Sequence, residues 1–394
     1  MSSKITYYPV DNGDQSMISI EEGYYTTNIL VDCNIRESSK GSADLTMFDV
    51  KADLLKSLKK REINNVGDST YADIFILTHG DLDHLRGFEN NFYQGDPQKF
   101  TKKNKDNGEI FIDVLWFSPM VMGESTSDDE NCFNKEAQRR IDLHRKKSVY
   151  KDLPGNRIVI IGYDANDDLS DLDLVRKIPG DIVTRFNNRD LLTFSIFLHA
   201  PYKKQLTQSD PDKNHTSVVF QARFKEELKS DTFSSLAMFG GDSDHYSWDM
   251  ILQKTKKHEN EKALEWDIFM APHHCSWTFF NDTPQKDNPL PVKTALDVLD
   301  YARNQAKVIA SSKKILNNDD NPPHYKAKEQ YVKKVTAENF FNTSTKYVKG
   351  VTPQPIVFEV TKYGPVLQPE KIGTATAAGT STGTGNNPTR YGTI

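Results

Sequence analysis

The sequence predicts an α/β fold whose functional groups sit at the carboxyl ends of strands. Apolar runs of buried-strand length alternate along the chain with stretches of helical periodicity. Four of those runs stop abruptly at polar, ligand-capable residues: Asp32, the loop from His79 to His84, Asp242, and the pair His273 and His274. Strand ends of a layered sheet lie along one edge, so groups distant in sequence can converge there.

Taken in order, "KITYYPV" and "SMISI" alternate as strands do, and "TTNILVDCNI" is a short apolar run reaching Asp32 and Asn34. "VKADLLKSLKKRE" then spaces Leu54, Leu55 and Leu58 along one helical face. "YADIFILTHGDLDH" is a buried-strand pattern that breaks into glycine and charge. Residues 89–190 are less regular: a polar loop at 95–108, the run "IFIDVLWFSPMVM", a charged helix over 133–148, and an acidic loop around "DANDDLSDLD". They read as an elaboration on the core, an insertion across about 95–190. Strands return at "LLTFSIFLHAP", "HTSVVFQARF" and "SSLAMFGGD", followed by a helix carrying Trp248, Ile251 and Leu252. Next come the strand "WDIFMAPHH", the helix "VKTALDVLDYAR", the strand "KVIAS", the loop "NNDDNPPHY", a charged helical stretch and a last strand "QPIVFEV". From 371 onward the chain is Gly/Thr-rich and too poor in large apolar residues to pack. The expected organisation is one domain over 1–370 and a disordered tail over 371–394.

Hydrophobic residues make up 37% of the 394-residue chain, enough for a sizeable core. No apolar run reaches the length of a membrane span, and "MSSKITYYPV" lacks the features of a signal peptide. The three cysteines, Cys33, Cys132 and Cys275, are widely spaced and odd in number, which suits a reducing compartment. The expectation is a cytoplasmic protein with no membrane partner. A formal charge of −5 is not the footprint of a tight, nonspecific nucleic-acid binder, yet it leaves open an enzyme that engages phosphodiesters through metal ions.

Gly-Asp-x-Asp-His occurs twice, ending at His84 and at His245. Imidazoles suit zinc, manganese or iron, and carboxylates add charge and hardness. One such loop alone reads as an ordinary turn; four strand ends with the same chemistry read as one metal site.

"THGDLDHLRG" resembles the His-x-His-x-Asp-His loop of the metallo-β-lactamase superfamily, with Asp81 where the second histidine usually stands. That variant is typical of its ComEC/Rec2-like branch, the hydrolase domain of DNA-uptake proteins. Further segments are similar in the same order: "YYPVDNGDQSMISI" with Asp14 in its turn, "NILVDCN", "FSIFLHAP" with "NHTSVVF", "MFGGD", "APHHCSW", and "VIASS" with "NPPHY". The resemblance spans roughly residues 5 to 335. It implies a four-layered αββα sandwich, two mixed sheets face to face with helices outside and the site at one edge. It implies that His79, Asp81, Asp83, His84 and Asp242, with one of His273 or His274, hold one or two divalent ions. Asp81 in place of histidine enriches the site in oxygen, which by hardness shifts preference from zinc toward manganese.

The superfamily has one further ligand histidine, for which His199 and His215 are the candidates. His215 reads equally as a loop residue, and His199 as a structural strand-end histidine. His324 stands where the branch places a final active-site histidine, suited to donating to a leaving group. In the second Gly-Asp-x-Asp-His, Asp242 is the metal carboxylate, while Asp244 and His245 begin the following helix. Cys275 replaces a glycine, which forbids an easy positive φ and suits a buried structural thiol.

The implied activity is metal-dependent hydrolysis, foremost of a phosphodiester and so a phosphodiesterase or nuclease, using metal-activated water that Asp83 orients or deprotonates. Other esters, thioesters and small phosphoesters are the alternative substrates. A non-catalytic interaction module with a residual metal site is a third reading. The expected partners are nucleic acid or another phosphodiester substrate, and a protein partner through the C-terminal tail. The branch's membrane-spanning segments are absent from this sequence, so its transport role does not carry over.

Overall fold

The computed structural model describes residues 2–36, 46–122, 125–163, 169–202, 213–225, 227 and 232–369. The tail expected to be disordered, and half of the acidic loop at 164–173, lie outside them.

The chain is a mixed α/β structure built on two large sheets. The first contains β1 (Lys4–Tyr7), β2 (Ser16–Glu22), β3 (Tyr25–Val31), β4 (Lys60–Glu62), β5 (Asp68–Ile76), β6 (Phe111–Phe117), β7 (Arg157–Ile161) and β8 (Arg176–Lys177). The second contains β9 (Ile182–Val183), β10 (Phe194–Ala200), β11 (Val219–Phe224), β12 (Ser235–Phe239), β13 (Trp266–Met270), β14 (Ala302–Ala310) and β15 (Phe340–Asn342). The chain then returns to the first sheet as β16 (Ile356–Thr361) and β17 (Gly364–Leu367), giving the order β17-β16-β1-β2-β3-β5-β6-β7-β8 with β4 beside β5. The second sheet runs in sequence order from β9 to β15.

Each sheet is antiparallel in one half and parallel in the other. From β3 through β5, β6 and β7 to β8 the pairs are parallel, as they are from β12 through β13 and β14 to β15. Parallel strands need crossovers, and those supply the helices: α1 (Val50–Ser57), α2 (Leu82–Leu85), α3 (Asp128–Arg145), α4 (His245–Lys257), α5 (Lys293–Leu299) and α6 (Tyr325–Val335). None is long and apolar enough to cross a membrane.

Strand β5 shows why its sequence lacks alternation. Ile74 and Ile76 enter a core shared with Leu198, Phe220, Phe239 and Ile268 of the second sheet. Phe75 and Leu77 point the other way, into a cluster with Leu54 of α1, Phe133 of α3, and Phe88 from the turn after α2. A strand buried on both faces is apolar throughout. The second sheet's other face packs Phe269 against Trp248 of α4, Val298 of α5 and Tyr331 of α6.

The stretch 95–190, expected as an insertion, belongs to the first sheet for much of its length. It provides β6, β7 and β8, extending the parallel half, and α3, whose Phe133, Ala137 and Ile141 cover that sheet. Irregular connections on either side hide a regular element: "RIVII" is only five residues long and follows a turn-rich segment.

Candidate metal centre

The parallel halves aim their carboxyl ends at one place. β3 delivers Asp32, β5 delivers Thr78 and the His79 loop, β12 delivers Asp242, and β13 delivers His273 and His274. Asp81 precedes the single turn of α2, which puts Asp83 in that turn and His84 behind it, buried. Backbone and side-chain hydrogen bonds lace the loops together. Thr78 donates to Asp32 from N–H at 2.7 Å and from its hydroxyl at 2.6 Å. The N–H of Val218 donates to Thr78 O at 2.8 Å, and that of His273 to Gly241 O at 3.0 Å. Gly241 has φ +51, and a Cβ there would stand 2.9 Å from Thr78 Oγ1. Glycine is what lets the two sheets' loops approach this closely.

Asp83, His84, Asp242 and His274 each offer a ligand atom, all within 4.8 Å of one another. His84 Nε2 lies 3.0 Å from Asp242 Oδ1. His274 Nε2 lies 3.0 Å from Asp83 Oδ2 and 3.6 Å from Asp242 Oδ1. The opposite ring nitrogens are held from behind. Asp32 Oδ2 is 2.9 Å from His84 Nδ1, and Asp14 Oδ1 is 3.3 Å from His274 Nδ1. The carboxylate behind His84 fixes that ring and its tautomer, leaving Nε2 free to bind a metal, whereas His274 Nδ1 faces both Asp14 and the N–H of Gly13, which donates to it at 3.2 Å. Asp14, Asp32 and His84 form a second cluster of the same compactness, which meets His84 at Nδ1, the nitrogen turned away from Asp242, and so serves as that backing.

The electrostatics follow from crowding buried carboxylates. Burial disfavours the imidazolium of His84, yet Asp242 and Asp32 outweigh it and hold its pKa well above the usual value. Burial likewise opposes charging His274, and Asp242, Asp14 and Asp83 push it up to about 10. Burial would raise Asp242, but His84, His274 and His273 hold it well below the usual carboxylate range. The site therefore demands positive charge. Protons meet that demand when no cation is present, and a divalent cation suits the same buried Asp/His donor set.

No protein-family model matches the chain, and no curated protein does.

The remaining candidates divide. His79 Nε2 is buried and makes no hydrogen bond, with Asp81 Oδ2 at 3.1 Å; its ring centroid is 5.4 Å from that of His84. These two sit beside the quartet. Of the paired histidines, His274 joins the quartet, while His273 Nε2 is 3.8 Å from Asp242 Oδ2. Both have positive φ, 49 and 55, as does Cys275 at 70. The expectation that a non-glycine at 275 rules out that conformation is corrected. Three successive left-handed residues store strain of roughly 1–3 kcal/mol each, and the packing of the buried Cys275 side chain among apolar neighbours fixes it there. Burial pushes that thiol up, and no metal-capable group among the described residues includes it.

His215 pairs with Asp244, Nε2 to Oδ2 2.7 Å, and stands outside the quartet. Asp244 caps α4, accepting from Ser247 N–H at 3.0 Å. His199 is buried in β10 against Phe197. His324 precedes α6; its N–H donates to Cys275 O at 2.9 Å, which docks its loop on the β13 turn. Its Nδ1 accepts from Lys326 N–H at 3.1 Å. What the sequence concealed is the support: Thr78, Asn34, which donates to Asp83 O at 3.1 Å, and Ser311, which donates to Gly13 O at 2.6 Å. Their only sequence signal is adjacency to strand ends.

Proposed function

We propose that the protein is a metal-dependent hydrolase of the metallo-β-lactamase superfamily, acting on phosphodiesters. The observation that carries the reading is the contact of His84 with Asp242 across 158 residues, one from each sheet. Helices on the outer face of both sheets, and a site at their shared edge, support the four-layered αββα arrangement. Asp83, His84, Asp242 and His274 would hold one divalent cation, and His79 with Asp81 would offer donors to a second. Two carboxylates in the quartet make manganese as well as zinc a fitting occupant.

A bound cation supplies Lewis acidity toward a phosphoryl oxygen and lowers the pKa of a water it holds. The chain's own groups do the rest. Asp83, partly buried and hydrogen-bonded to His274, orients the attacking water or takes its proton. His324 accepts at Nδ1, so its neutral ring carries the proton on Nε2 and can donate it to the departing oxygen. Burial lowers the His324 pKa, which favours that neutral form. The net charge of −5 favours a small phosphodiester over a long polyanion.

The test is purified protein with Mn²⁺ or Zn²⁺ on bis(p-nitrophenyl) phosphate, single- and double-stranded DNA, RNA, a carboxylic ester and a thioester. Phosphodiester cleavage should fall by about 100-fold or more in Asp83→Ala and His84→Ala. Cleavage unchanged in both variants would overturn the proposal.

A further inference from the structure

A cavity of about 350 Å³ opens at the far margin of the first sheet, between the last turn of α3, strands β6 to β8 and the β9 segment. None of the metal-centre residues lines it. Its apolar side includes Trp116, Val159 and Val183; its polar side includes His144, Arg157 and Lys177. Three features point to a ligand.

The first is the mixed lining. Trp116, Val159 and Val183 on one side and Arg157 and Lys177 on the other give the apolar wall and the few polar groups that a small-molecule site combines.

The second is charge. Arg157 is matched by buried Asp113 at 3.2 Å, Arg185 by Asp190 at 3.0 Å, and Asp152 by Lys151. Lys177 has no ion pair among the described residues, so the lining carries one unanswered positive charge.

The third is exposed apolar surface. Leu174 is 100% exposed and Ile182 57% exposed, and both line the opening. A ligand body would cover them.

We infer that this cavity binds a small organic monoanion, its acid group at Lys177 and an apolar body against Trp116, Val159 and Val183. Size sets the body. A cavity of roughly 150 Å³ holds benzene, so this one holds about two fused rings with an acid group. The volume also falls within the usual range of small-molecule sites. The inference stands on residues separate from the metal centre and does not depend on the proposed hydrolysis.

Naphthalene-1-sulfonate is a suitable probe, titrated calorimetrically into the full chain with EDTA present so that no metal participates. It should bind one to one. 2-Naphthol, which lacks the charge, and inorganic sulfate, which lacks the rings, should each bind at least ~10-fold more weakly. Lys177→Glu should weaken the probe at least ~10-fold, and Val159→Phe, which fills the apolar side, should do the same, with circular dichroism confirming the fold. Asp83→Ala should bind the probe as the parent does. Absence of saturable binding overturns the inference. So does binding that survives both Lys177→Glu and Val159→Phe, or that is lost in Asp83→Ala.

Discussion

Both ring nitrogens of His84 face carboxylates, Asp242 in front and Asp32 behind. The rear contact is open to a clean test, because Asp32 has φ 58 and asparagine is among the few residues that accept that conformation. Asp32→Asn should keep the fold and the hydrogen bond from Thr78 N–H, while an amide NH2 replaces the oxygen that faces the Thr78 hydroxyl and the imidazole and removes the charge there. Metal affinity, read by competition with a chelating dye, should drop by about 10–100-fold. An unchanged affinity would reduce Asp32 to a loop brace. His199 offers a pH signature remote from any metal. Burial, reinforced by Arg223, pushes its pKa from 6.5 down to about 3. Between those values the unfolded chain binds a proton that the folded chain refuses, so stability falls as pH falls, by ~1.4 kcal/mol per pH unit. Urea midpoints of the parent and His199→Phe should therefore converge or cross as pH drops from 6.5 to 4; parallel curves would contradict this. Residue chemistry was the most legible level of the sequence. The types and spacing of Asp83, His84 and Asp242 point to one cluster at the strand ends, and the structure brings their ligand-capable atoms within 4.8 Å of one another. Choosing His274 over His273 was not legible, since adjacent residues point in different directions according to a backbone conformation that no spacing encodes.

Secondary structure was readable where one physical demand dominated an element. β5 is apolar throughout because both its faces are covered, and α1 announces itself through the spacing of Leu54, Leu55 and Leu58; the structure adds an Asp49 cap that accepts from Ala52 N–H at 2.9 Å. Asp49→Ala should cost about 1 kcal/mol by denaturant titration without touching metal binding. β7 escaped notice because five residues between a turn and a polar loop carry no periodicity, and only pairing with β6 makes them a strand. The same limit hid how far residues 95–190 join the first sheet, since sheet membership is a tertiary property. Where elements from the two sheets meet, Gly241 is the critical joint. Gly241→Ala would place a methyl 2.9 Å from Thr78 Oγ1 in a left-handed conformation. A loss of more than ~1 kcal/mol is expected, together with weaker metal binding, because the displaced loop carries Asp242. A variant as stable and as metal-competent as the parent would show that the loops have slack the structure does not suggest.

At the scale of the whole molecule, the two sheets are joined by an apolar core along their facing surfaces and by a polar edge where four strand ends meet. The core is apolar, whereas the edge is charged. Asp14, Asp32, Asp83 and Asp242 converge there, and their mutual repulsion is relieved by protons or by a cation. A divalent ion that binds only the folded chain stabilises it by RT ln(1 + [L]/Kd), about 2.7 kcal/mol at 100-fold excess over Kd. Because the candidate ligands come from both sheets, a cation held by them would cross-link the sheets as well as neutralise them. Thermal unfolding of metal-stripped protein should shift upward by several degrees on adding Zn²⁺ or Mn²⁺, on the order of 2–4 °C per kcal/mol. EDTA should reverse the shift, and Asp83→Ala should abolish most of it while unfolding near the metal-free parent. If either ion raised the melting temperature of Asp83→Ala as much as that of the parent, the stabilising site would lie elsewhere. If neither ion moved the parent at all, the converging carboxylates would need another explanation than a cation.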